Sequence, residues 1–355
     1  MKAAIVKGKG KIEVEEIPKP QPGPGMLLLK VLYCSICGSD VEKLYSPTWD
    51  TAPEVMKAIH VNSILGHEYV GRVEEIGSGV TGWKVGERAV DLHIACGKCF
   101  YCLRGMSDLC MQGRVRGHPY DGTPSPIPGP PRWGAFTEYV IRPAISRLKV
   151  PDNIPDQEAA MTEPLATGVT GVLAGGVKIG DSVVVIGVGH IGAMVLAAAK
   201  AAGAAPLIAV DLQQERLEAA KKVGANIVIN ASKTDPIKEV VSITEAGADI
   251  VIIAVAGNAP GVIEQAFEMV RYHGRVIIIG NSAPATLPTG KWMTKEVRIE
   301  GAVHMGESMI PSLALLQYGR VNIKPVLTEV VPLAEIQRGF ESLRMGKNIA
   351  VLIKP

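Results

Sequence analysis

Four of the six cysteines of this 355-residue chain lie close together in the stretch CGKCFYCLRGMSDLC. Thiolates spaced three residues apart can converge on one point, and four of them complete the tetrahedral shell of zinc. A shell filled by protein leaves no position for a substrate, so this metal would be structural. A disulfide or a redox-active Cys-x-x-Cys pair fits four clustered thiols less well. The predicted ligands are Cys96, Cys99, Cys102 and Cys110.

A second set of metal-binding residue types is spread along the chain. Cys37 lies in CGSD, His67 lies in GHE, and Glu163 lies in TEPLATG. One thiolate, one imidazole and one carboxylate leave a coordination position of zinc open, which is typical of catalytic sites. Each residue alone also fits a core thiol or a surface pair. The combination with the other motifs is what predicts a catalytic metal here.

The stretch VVVIGVGHIG, residues 183–192, places Gly-x-Gly-x-x-Gly between a β-branched run and an alanine-rich helix. In that context the glycines allow a tight turn, the approach of a pyrophosphate and close helix–strand packing. Asp211 ends the next predicted strand, where a carboxylate binds the ribose hydroxyls of NAD and repels the 2′-phosphate of NADP. The alternative is that Asp211 only caps the following helix, in which Arg216 lies one turn further on. The candidate cofactor-binding residues are Gly187, Gly189, His190, Ile191, Gly192, Asp211 and Arg216.

Apolar strands alternate with helices beyond this motif. NIVIN, DIVIIAVAG and GRVIIIG are predicted strands, and KEVRIEGA adds a sixth. Nearly all-apolar strands of this kind indicate a parallel sheet covered by helices on both faces. Because cofactors bind at the carboxyl ends of such strands, Val255, Ile279 and Asn281 are further candidates.

The first 150 residues show short strands separated by glycine and proline, which predicts an irregular β domain.

The net charge is +2 without a basic cluster, which does not favour a nucleic-acid or membrane partner. The apolar run at the amino terminus is too short for a signal peptide, so we expect a cytoplasmic protein. The long apolar tract at 183–199 contains three glycines and a histidine, which favours a strand, turn and helix over a membrane span.

Together these motifs resemble the zinc-dependent medium-chain alcohol dehydrogenases along essentially the whole chain. The EPLA sequence at Glu163 is similar to the sorbitol and threonine dehydrogenase branches, and HIACGKC is most similar to threonine dehydrogenases. The resemblance implies a doubly wound, six-stranded Rossmann domain and an irregular, mostly-β, GroES-like catalytic domain with a zinc lobe at 93–112. The predicted boundaries are 1–157 for the catalytic domain, 158–300 for the NAD-binding domain and 301–355 for a return to the catalytic domain.

The resemblance also implies roles for individual residues. The catalytic zinc is held by Cys37, His67 and one or both of Glu68 and Glu163. Ser39 matches the hydroxyl that takes the proton of the alcohol, and Asp40 matches the carboxylate that orients the ligating imidazole. Thr167 matches a residue beside the nicotinamide.

Three positions near these motifs stay open. Many relatives carry a histidine five residues after the zinc cysteine to pass the proton to solvent, and this chain has Glu42 there. His93 either lines the substrate pocket or has a structural role. Cys34 is interpreted as a core thiol rather than a ligand.

The implied reaction transfers a hydride from a secondary alcohol, a polyol or related diol, to NAD⁺ and gives a ketone. The first alternative is an L-threonine 3-dehydrogenase. A remote alternative, a zinc module that binds nucleic acid, expects a basic surface that the net charge of +2 does not supply. We therefore expect two Zn²⁺ per subunit, NAD(H), a small alcohol or ketone as substrate, no nucleic acid or membrane partner, and a homo-oligomer with a tetramer favoured over a dimer.

Overall fold

The computed structural model describes residues 1–46, 61–92, 98–104, 106, 109–110, 134–255, 257, 259–280, 283–303 and 305–355. Among the predicted site residues, His93, Cys96 and Asn281 lie outside the described residues. The chain divides into two compact units. Unit 1 comprises Met1–Glu163 and Leu327–Pro355, and unit 2 comprises Pro164–Val326.

The described residues form strands and helices in the following order. The strands are β1 Lys2–Gly8, β2 Lys11–Glu16, β3 Met26–Ser35, β4 Glu68–Ile76, β5 Arg88–Asp91, β6 Tyr139–Pro143, β7 Arg147–Lys149, β8 Val183–Ile186, β9 Leu207–Asp211, β10 Ile227–Asn230, β11 Ala248–Ile253, β12 Val270–Ile278, β13 Arg298–Gly301, β14 Leu327–Pro332 and β15 Ala350–Lys354. The helices are α1 Gly38–Tyr45, α2 Asp156–Ala160, α3 Thr162–Gly175, α4 His190–Ala202, α5 Gln214–Val223, α6 Pro236–Thr244, α7 Val262–Met269, α8 Thr289–Lys295, α9 Gly306–Gln317 and α10 Ile336–Arg344.

Unit 1 is built around a seven-stranded mixed sheet. Its strand order is β14-β15-β3-β4-β5-β7, and β6 pairs with β3 beside this path. The strands β1 and β2 form a separate antiparallel pair. β3 is the central strand, because it pairs with β4, β6 and β15. Its opening run of Leu27, Leu28 and Leu29 is fully buried, which anchors the sheet in the apolar core.

The pairing of β3 with β4 determines where the two strands meet. Ser35 at the end of β3 lies opposite Glu68 at the start of β4. The chain leaves β3 and enters α1 through Ile36, whose N–H donates to the carbonyl of Val351 at 3.0 Å. The segment after β3 and the segment before β4 therefore lie at the same end of the sheet.

Unit 2 contains a six-stranded parallel sheet in the order β10-β9-β8-β11-β12-β13. The strands β8, β9 and β11 are almost entirely buried, as expected for a sheet covered on both faces. The predicted doubly wound sheet with a sixth strand from KEVRIEGA is confirmed. The apolar tract at 183–199 forms β8, a glycine turn and most of α4, and no helix among the described residues is long and apolar enough to span a membrane.

Some elements of unit 1 were not predicted. The sequence pattern indicated no helix in the first 150 residues, but α1 occupies Gly38–Tyr45. A helix of two turns is too short to show a clear apolar period, so its stability comes from tertiary contacts of buried Leu44. The strand β7 has only three residues, and it forms through its pairing with β5.

Candidate functional site

The first part of the site is the amino-terminal turn of α1. Cys37 is the residue immediately before the helix, and Asp40 lies in its first turn. The Cys37 N–H donates to Oδ2 of Asp40 at 3.2 Å, and the Gly66 N–H donates to Oδ1 at 3.4 Å. Asp40 is only 1% exposed, so its carboxylate joins two distant chain segments inside the protein.

Asp40 also contacts the imidazole of His67. The Nδ1 atom of His67 lies 3.6 Å from Oδ2 of Asp40. Burial opposes the ionised form of Asp40, but the charge and hydrogen bond of His67, together with Lys43 and the Cys37 N–H, lower its pKa below 3.8. A carboxylate on one ring nitrogen leaves the other nitrogen as the ligand atom, as in many histidine–metal sites.

Gly66 allows His67 to reach this position. Its φ angle is +95°, in the region that favours glycine. A Cβ atom at Gly66 would lie 2.8 Å from Sγ of Cys34 and 3.0 Å from the ring of Phe136. The backbone before His67 therefore depends on the missing side chain both for its conformation and for space.

Two carboxylates approach this cluster. Glu68 is fully buried, and burial, together with nearby Cys37 and Glu163, raises its pKa well above the ordinary value. Burial also raises the pKa of Glu163 at the start of α3, with a further contribution from Asp40 and an opposing one from His67. The ligand atoms of Cys37, His67 and Glu68 all lie within 4.8 Å of one another, and Glu163 is not a member of this group.

This donor set fits a zinc ion. Burial and the neighbouring thiol of Cys37 both disfavour the ionised form of Glu68, which raises its pKa. A divalent cation reverses that preference, because metals bind thiolate, neutral imidazole and carboxylate. Three protein donors of these types are also the composition of zinc sites that keep a position open. Cys34 is buried nearby, and burial raises the pKa of its thiol.

A second donor cluster lies in the cysteine lobe. The ligand atoms of Cys99, Cys102 and Cys110 lie within 4.8 Å of one another, and the Sγ atoms of Cys99 and Cys102 are 3.5 Å apart. A tetrahedron with zinc–sulfur bonds of about 2.3 Å has sulfur–sulfur edges of about 3.8 Å, so the spacing fits zinc. The five cysteines that the structure describes form no disulfide.

A tight turn joins two of the cysteines of the lobe. The Leu103 N–H donates to the carbonyl of Cys99 at 3.0 Å, and a 3₁₀ turn covers Cys102–Arg104. This turn brings the sulfur atoms of a Cys-x-x-Cys step to the same side. The structure thus brings together three of the four predicted lobe ligands.

Unit 2 contains the predicted glycine-rich turn, between β8 and α4. Gly187 has a φ angle of +82°, and a Cβ atom there would lie 2.6 Å from Cγ2 of Val255. A Cβ atom at Gly192 would lie 1.8 Å from the carbonyl oxygen of Gly187. Gly189 precedes the first helical residue, His190, so the amino terminus of α4 begins at this turn. Such a turn can bind a phosphate group.

Asp211, at the end of β9, is attached to the same turn. Its Oδ2 atom accepts a hydrogen bond from the Val188 N–H at 2.8 Å, and Oδ1 accepts one from the Gln213 N–H at 2.9 Å. The Nη1 atom of Arg216 lies 3.8 Å from Oδ2. The carboxylate is 8% exposed and keeps further lone pairs, so it is able to accept bonds from a ribose.

The loops after β11 and β12 also lie near this turn. The Ile279 N–H donates to the carbonyl of Ile253 at 2.9 Å, and the Gly280 N–H donates to the same oxygen at 3.1 Å. Val255 follows β11 and contacts the position of Gly187. The predicted cofactor residues Val255 and Ile279 are therefore close to the turn.

The remaining predicted residues lie on two helices. Ser39 is half-buried in the first turn of α1, whereas Glu42 on the same helix is exposed. Thr167 lies on α3, and its Oγ1 donates to Sδ of Met305 at 2.8 Å. The sequence analysis did not identify the contacts of Gly66 or Met305 as features of the site. Gly66 precedes the predicted ligand His67, which is a local signal, but its crowding by Phe136 depends on the tertiary fold.

Comparison with known proteins identifies the family. The alcohol dehydrogenase GroES-like domain model matches residues 23–152, and the zinc-binding dehydrogenase model matches residues 190–317. The L-threonine 3-dehydrogenase of Pyrococcus horikoshii is 36% identical over 91% of this chain and 89% of its own length. That of Bacillus licheniformis is 37% identical over 93% of this chain and 91% of its own length. The chain belongs to the zinc-dependent medium-chain alcohol dehydrogenase family.

Solved structures agree with this assignment. The alcohol dehydrogenase TADH from Thermus sp. ATN1 is 32% identical, with a TM-score of 0.86 over 100% of this chain and 99% of that one. The predicted family is thereby confirmed, as are its cofactors, zinc and NAD(H). This medium-chain dehydrogenase is an oxidoreductase that acts on a small-molecule substrate.

Proposed function

We propose that this protein is an NAD-dependent L-threonine 3-dehydrogenase. The single observation that carries the substrate is the similarity to two enzymes of that name, at 36% and 37% identity over more than nine-tenths of the chain. These relatives favour the alternative prediction over the polyol or diol that was the main prediction from sequence. The reaction removes a hydride from the carbon that carries the secondary hydroxyl and a proton from that hydroxyl, which gives a ketone.

Cys37, His67 and Glu68 are the proposed ligands of the catalytic zinc. Their support is the convergence of the three ligand atoms within 4.8 Å and the burial of Glu68. When bound, zinc supplies Lewis acidity toward the substrate hydroxyl, and NAD⁺ supplies the hydride acceptor. Asp40 holds His67 through Nδ1, so the imidazole keeps one orientation. Glu163 is a second carboxylate near the site that can exchange with Glu68.

Ser39 is the proposed acceptor of the hydroxyl proton. It lies in the first turn of α1, two residues after Cys37, so the helix that begins directly after the proposed ligand cysteine carries the proton acceptor. Glu42 is exposed on the same helix, and its carboxylate can pass the proton to water. Replacement of Glu42 by Gln should therefore reduce turnover less than replacement of Ser39 by Ala.

The cofactor is bound in this proposal by the turn of unit 2. The glycine-rich turn and the amino terminus of α4 bind the diphosphate, and Asp211 accepts the ribose hydroxyls. A carboxylate at this place disfavours the 2′-phosphate of NADP. Arg216 lies beside Asp211, where it balances the carboxylate charge. Thr167, Val255, Ile279 and the predicted Asn281 complete the proposed cofactor contacts.

The substrate is tested by following NAD⁺ reduction with L-threonine, 2,3-butanediol, sorbitol and 2-propanol, each also with NADP⁺. We expect the highest kcat/KM for L-threonine with NAD⁺. A higher kcat/KM for a polyol or diol would overturn the proposed substrate while leaving the reaction class intact. Activity confined to NADP⁺ would overturn the role of Asp211.

The metal ligands are tested with a matched pair of cysteine variants. Cys37→Ala and Cys34→Ala each remove one thiol within the same short segment, but only Cys37 belongs to the donor cluster. We expect elemental analysis to find two zinc ions per subunit in the parent and in Cys34→Ala, and one in Cys37→Ala together with loss of turnover. Two zinc ions and parent activity in Cys37→Ala would refute the assignment.

A further inference from the structure

Outside the donor clusters, unit 1 contains a buried guanidinium group. The side chain of Arg147 is 4% exposed and forms an ion pair with Asp91. Its Nη1 atom donates to Oη of Tyr69 at 3.3 Å, and its Nη2 atom donates to Oγ of Ser146 at 2.8 Å. Oη of Tyr69 donates in turn to Oδ1 of Asp91 at 2.5 Å. Tyr69, Asp91 and Arg147 thus form a closed polar network, which we call the strand-end network.

The strand-end network joins three strands of the sheet at one place. Tyr69 is the second residue of β4, Asp91 is the last residue of β5, and Arg147 is the first residue of β7. Asp91 and Arg147 are direct partners in the ladder between β5 and β7. The Leu92 N–H extends this pairing by donating to the carbonyl of Ser146 at 2.9 Å. The network therefore holds the start of β4 against the end of β5.

The position of Tyr69 connects the network with the proposed metal site. Tyr69 follows Glu68 directly, and successive residues of a strand point to opposite faces of the sheet. Glu68 is therefore held on one face while its neighbour is held on the other. A slip of β4 by one residue would exchange the two faces and remove the carboxylate from Cys37 and His67. Such a slip would also move the Tyr69 hydroxyl away from Asp91 and Arg147, so its two hydrogen bonds oppose the slip.

The same network lies at the entry to the cysteine lobe. The chain runs from Asp91, the end of β5, toward the lobe cysteines, beginning in the described residues with Cys99. An ion pair with one buried partner is by itself weak grounds for a stabilising role, since apolar replacements are often equally stable. The network lies at the start of β4, which carries Glu68, and at the end of β5, which leads to the lobe. This placement suggests that the network positions Glu68.

We propose that Tyr69, Asp91 and Arg147 are positioning residues of the catalytic metal site, acting through Glu68 and His67. This inference rests on the proposed function, because it takes Cys37, His67 and Glu68 as the ligands. Tyr69→Phe removes only the hydroxyl, and Asp91→Asn keeps the shape of the side chain but removes the charge. The control is Asp249→Asn, which breaks a hydrogen-bonded carboxylate in unit 2, where Asp249 accepts from Ser182 and Arg271.

The test uses the full-length protein with Co²⁺ in place of zinc. The spectrum of the Cys37→Ala protein is subtracted, so that only the proposed catalytic site contributes. Tyr69→Phe and Asp91→Asn should weaken Co²⁺ binding at this site about tenfold and should shift its d–d bands. Replacing residues that support metal ligands typically weakens metal binding by about 10–100-fold, and tenfold is the lower end of that range. Asp249→Asn should lower the unfolding temperature and leave both the Co²⁺ affinity and the d–d bands unchanged.

The outcomes separate the two proposals. Parent-like Co²⁺ affinity and spectra in Tyr69→Phe and Asp91→Asn would overturn the positioning role and leave the ligand assignment standing. An equal loss of affinity in Asp249→Asn would also overturn it, because the effect would then follow general stability. A parent protein that binds only one metal ion per subunit, unchanged by Cys37→Ala, would overturn the proposed function and this inference together.

Discussion

Replacement of Gly66 by Ala is the sharpest test of how the backbone before the proposed ligand His67 depends on glycine. Two costs add at this position. A φ angle of +95° costs a residue with a Cβ atom about 1–2 kcal/mol. The new methyl group would also lie 2.8 Å from Sγ of Cys34 and 3.0 Å from Phe136, and overpacking of a core costs about 1–3 kcal/mol. We expect the variant to be less stable by about 2–5 kcal/mol.

Gly79→Ala separates the two costs. Gly79 has a φ angle of +77°, but no atom lies within 4 Å of the position of its Cβ. This variant should therefore lose only the conformational part, about 1–2 kcal/mol. Urea denaturation of the zinc-saturated proteins measures both variants against the parent. The difference between them reports the crowding at Gly66.

A second substitution tests the crowding directly. Cys34→Ala removes the sulfur atom that would lie nearest to the new methyl group. In the double variant Gly66→Ala/Cys34→Ala, the cost of the first change should be smaller than it is in the parent background, because the two sites are in contact. Equal stability of Gly66→Ala and Gly79→Ala, or strict additivity in this cycle, would refute the crowding argument.

Three further predictions concern other parts of the molecule. Cys110→Ser should reduce the zinc content from two ions to one per subunit and lower the unfolding temperature, because the lobe loses a buried donor. Asp211→Ser should raise KM for NAD⁺ and lower KM for NADP⁺, measured with the same alcohol, because the repelling carboxylate is gone and Arg216 stays. Asp249→Asn should lose about 1–2 kcal/mol at pH 7, measured by urea denaturation. Burial opposes ionisation of Asp249, but hydrogen bonds from Ser182 and the charge of Arg271 lower its pKa below 3.8. The stability advantage of the parent over the variant is therefore present above pH 3.8, and it is lost as the pH falls through the pKa of Asp249 in the folded protein.

These predictions have clear contrary results. Cys110→Ser with two zinc ions would remove Cys110 from the lobe ligands, and Asp211→Ser with unchanged cofactor preference would remove the role of its carboxylate. For Asp249, loss of metal at low pH affects parent and variant alike, so the comparison uses the difference between them. A difference that grows below pH 4 would contradict the sign of the shift.

Local sequence signals predicted a large part of the fold and of the site. The glycine motif specifies a turn through residues only five positions apart, and the structure forms this turn with Gly187 at positive φ. The Cys-x-x-Cys step is equally local, and the sulfur atoms of Cys99 and Cys102 meet. The apolar strands of unit 2 are long enough and uniform enough to be identified without tertiary information.

Features that depend on distant pairing were not predictable from these signals. Helix α1 has eight residues, fewer than an isolated helix needs to be stable, so only its packing explains it. The hydrogen bond of Tyr69 with Asp91 spans 22 positions, and that of Arg147 with Tyr69 spans 78. No residue type at either end requires the other, since tyrosine, aspartate and arginine are ordinary at strand termini.

Two of the proposed ligands, Cys37 and Glu68, lie far apart in the sequence, and the pairing of β3 with β4 brings them together. Cys37 lies just beyond the end of β3 and Glu68 begins β4, and the register places Ser35 opposite Glu68. The same ladder contains two irregularities, between Leu28 and Leu29 and between Val31 and Tyr33. Each irregularity changes which face the later residues present, because the side-chain period of a strand is two. The face on which Glu68 meets Cys37 is therefore determined by the antiparallel ladder over its whole length, and the proposed metal site is a property of the sheet rather than of the motifs alone.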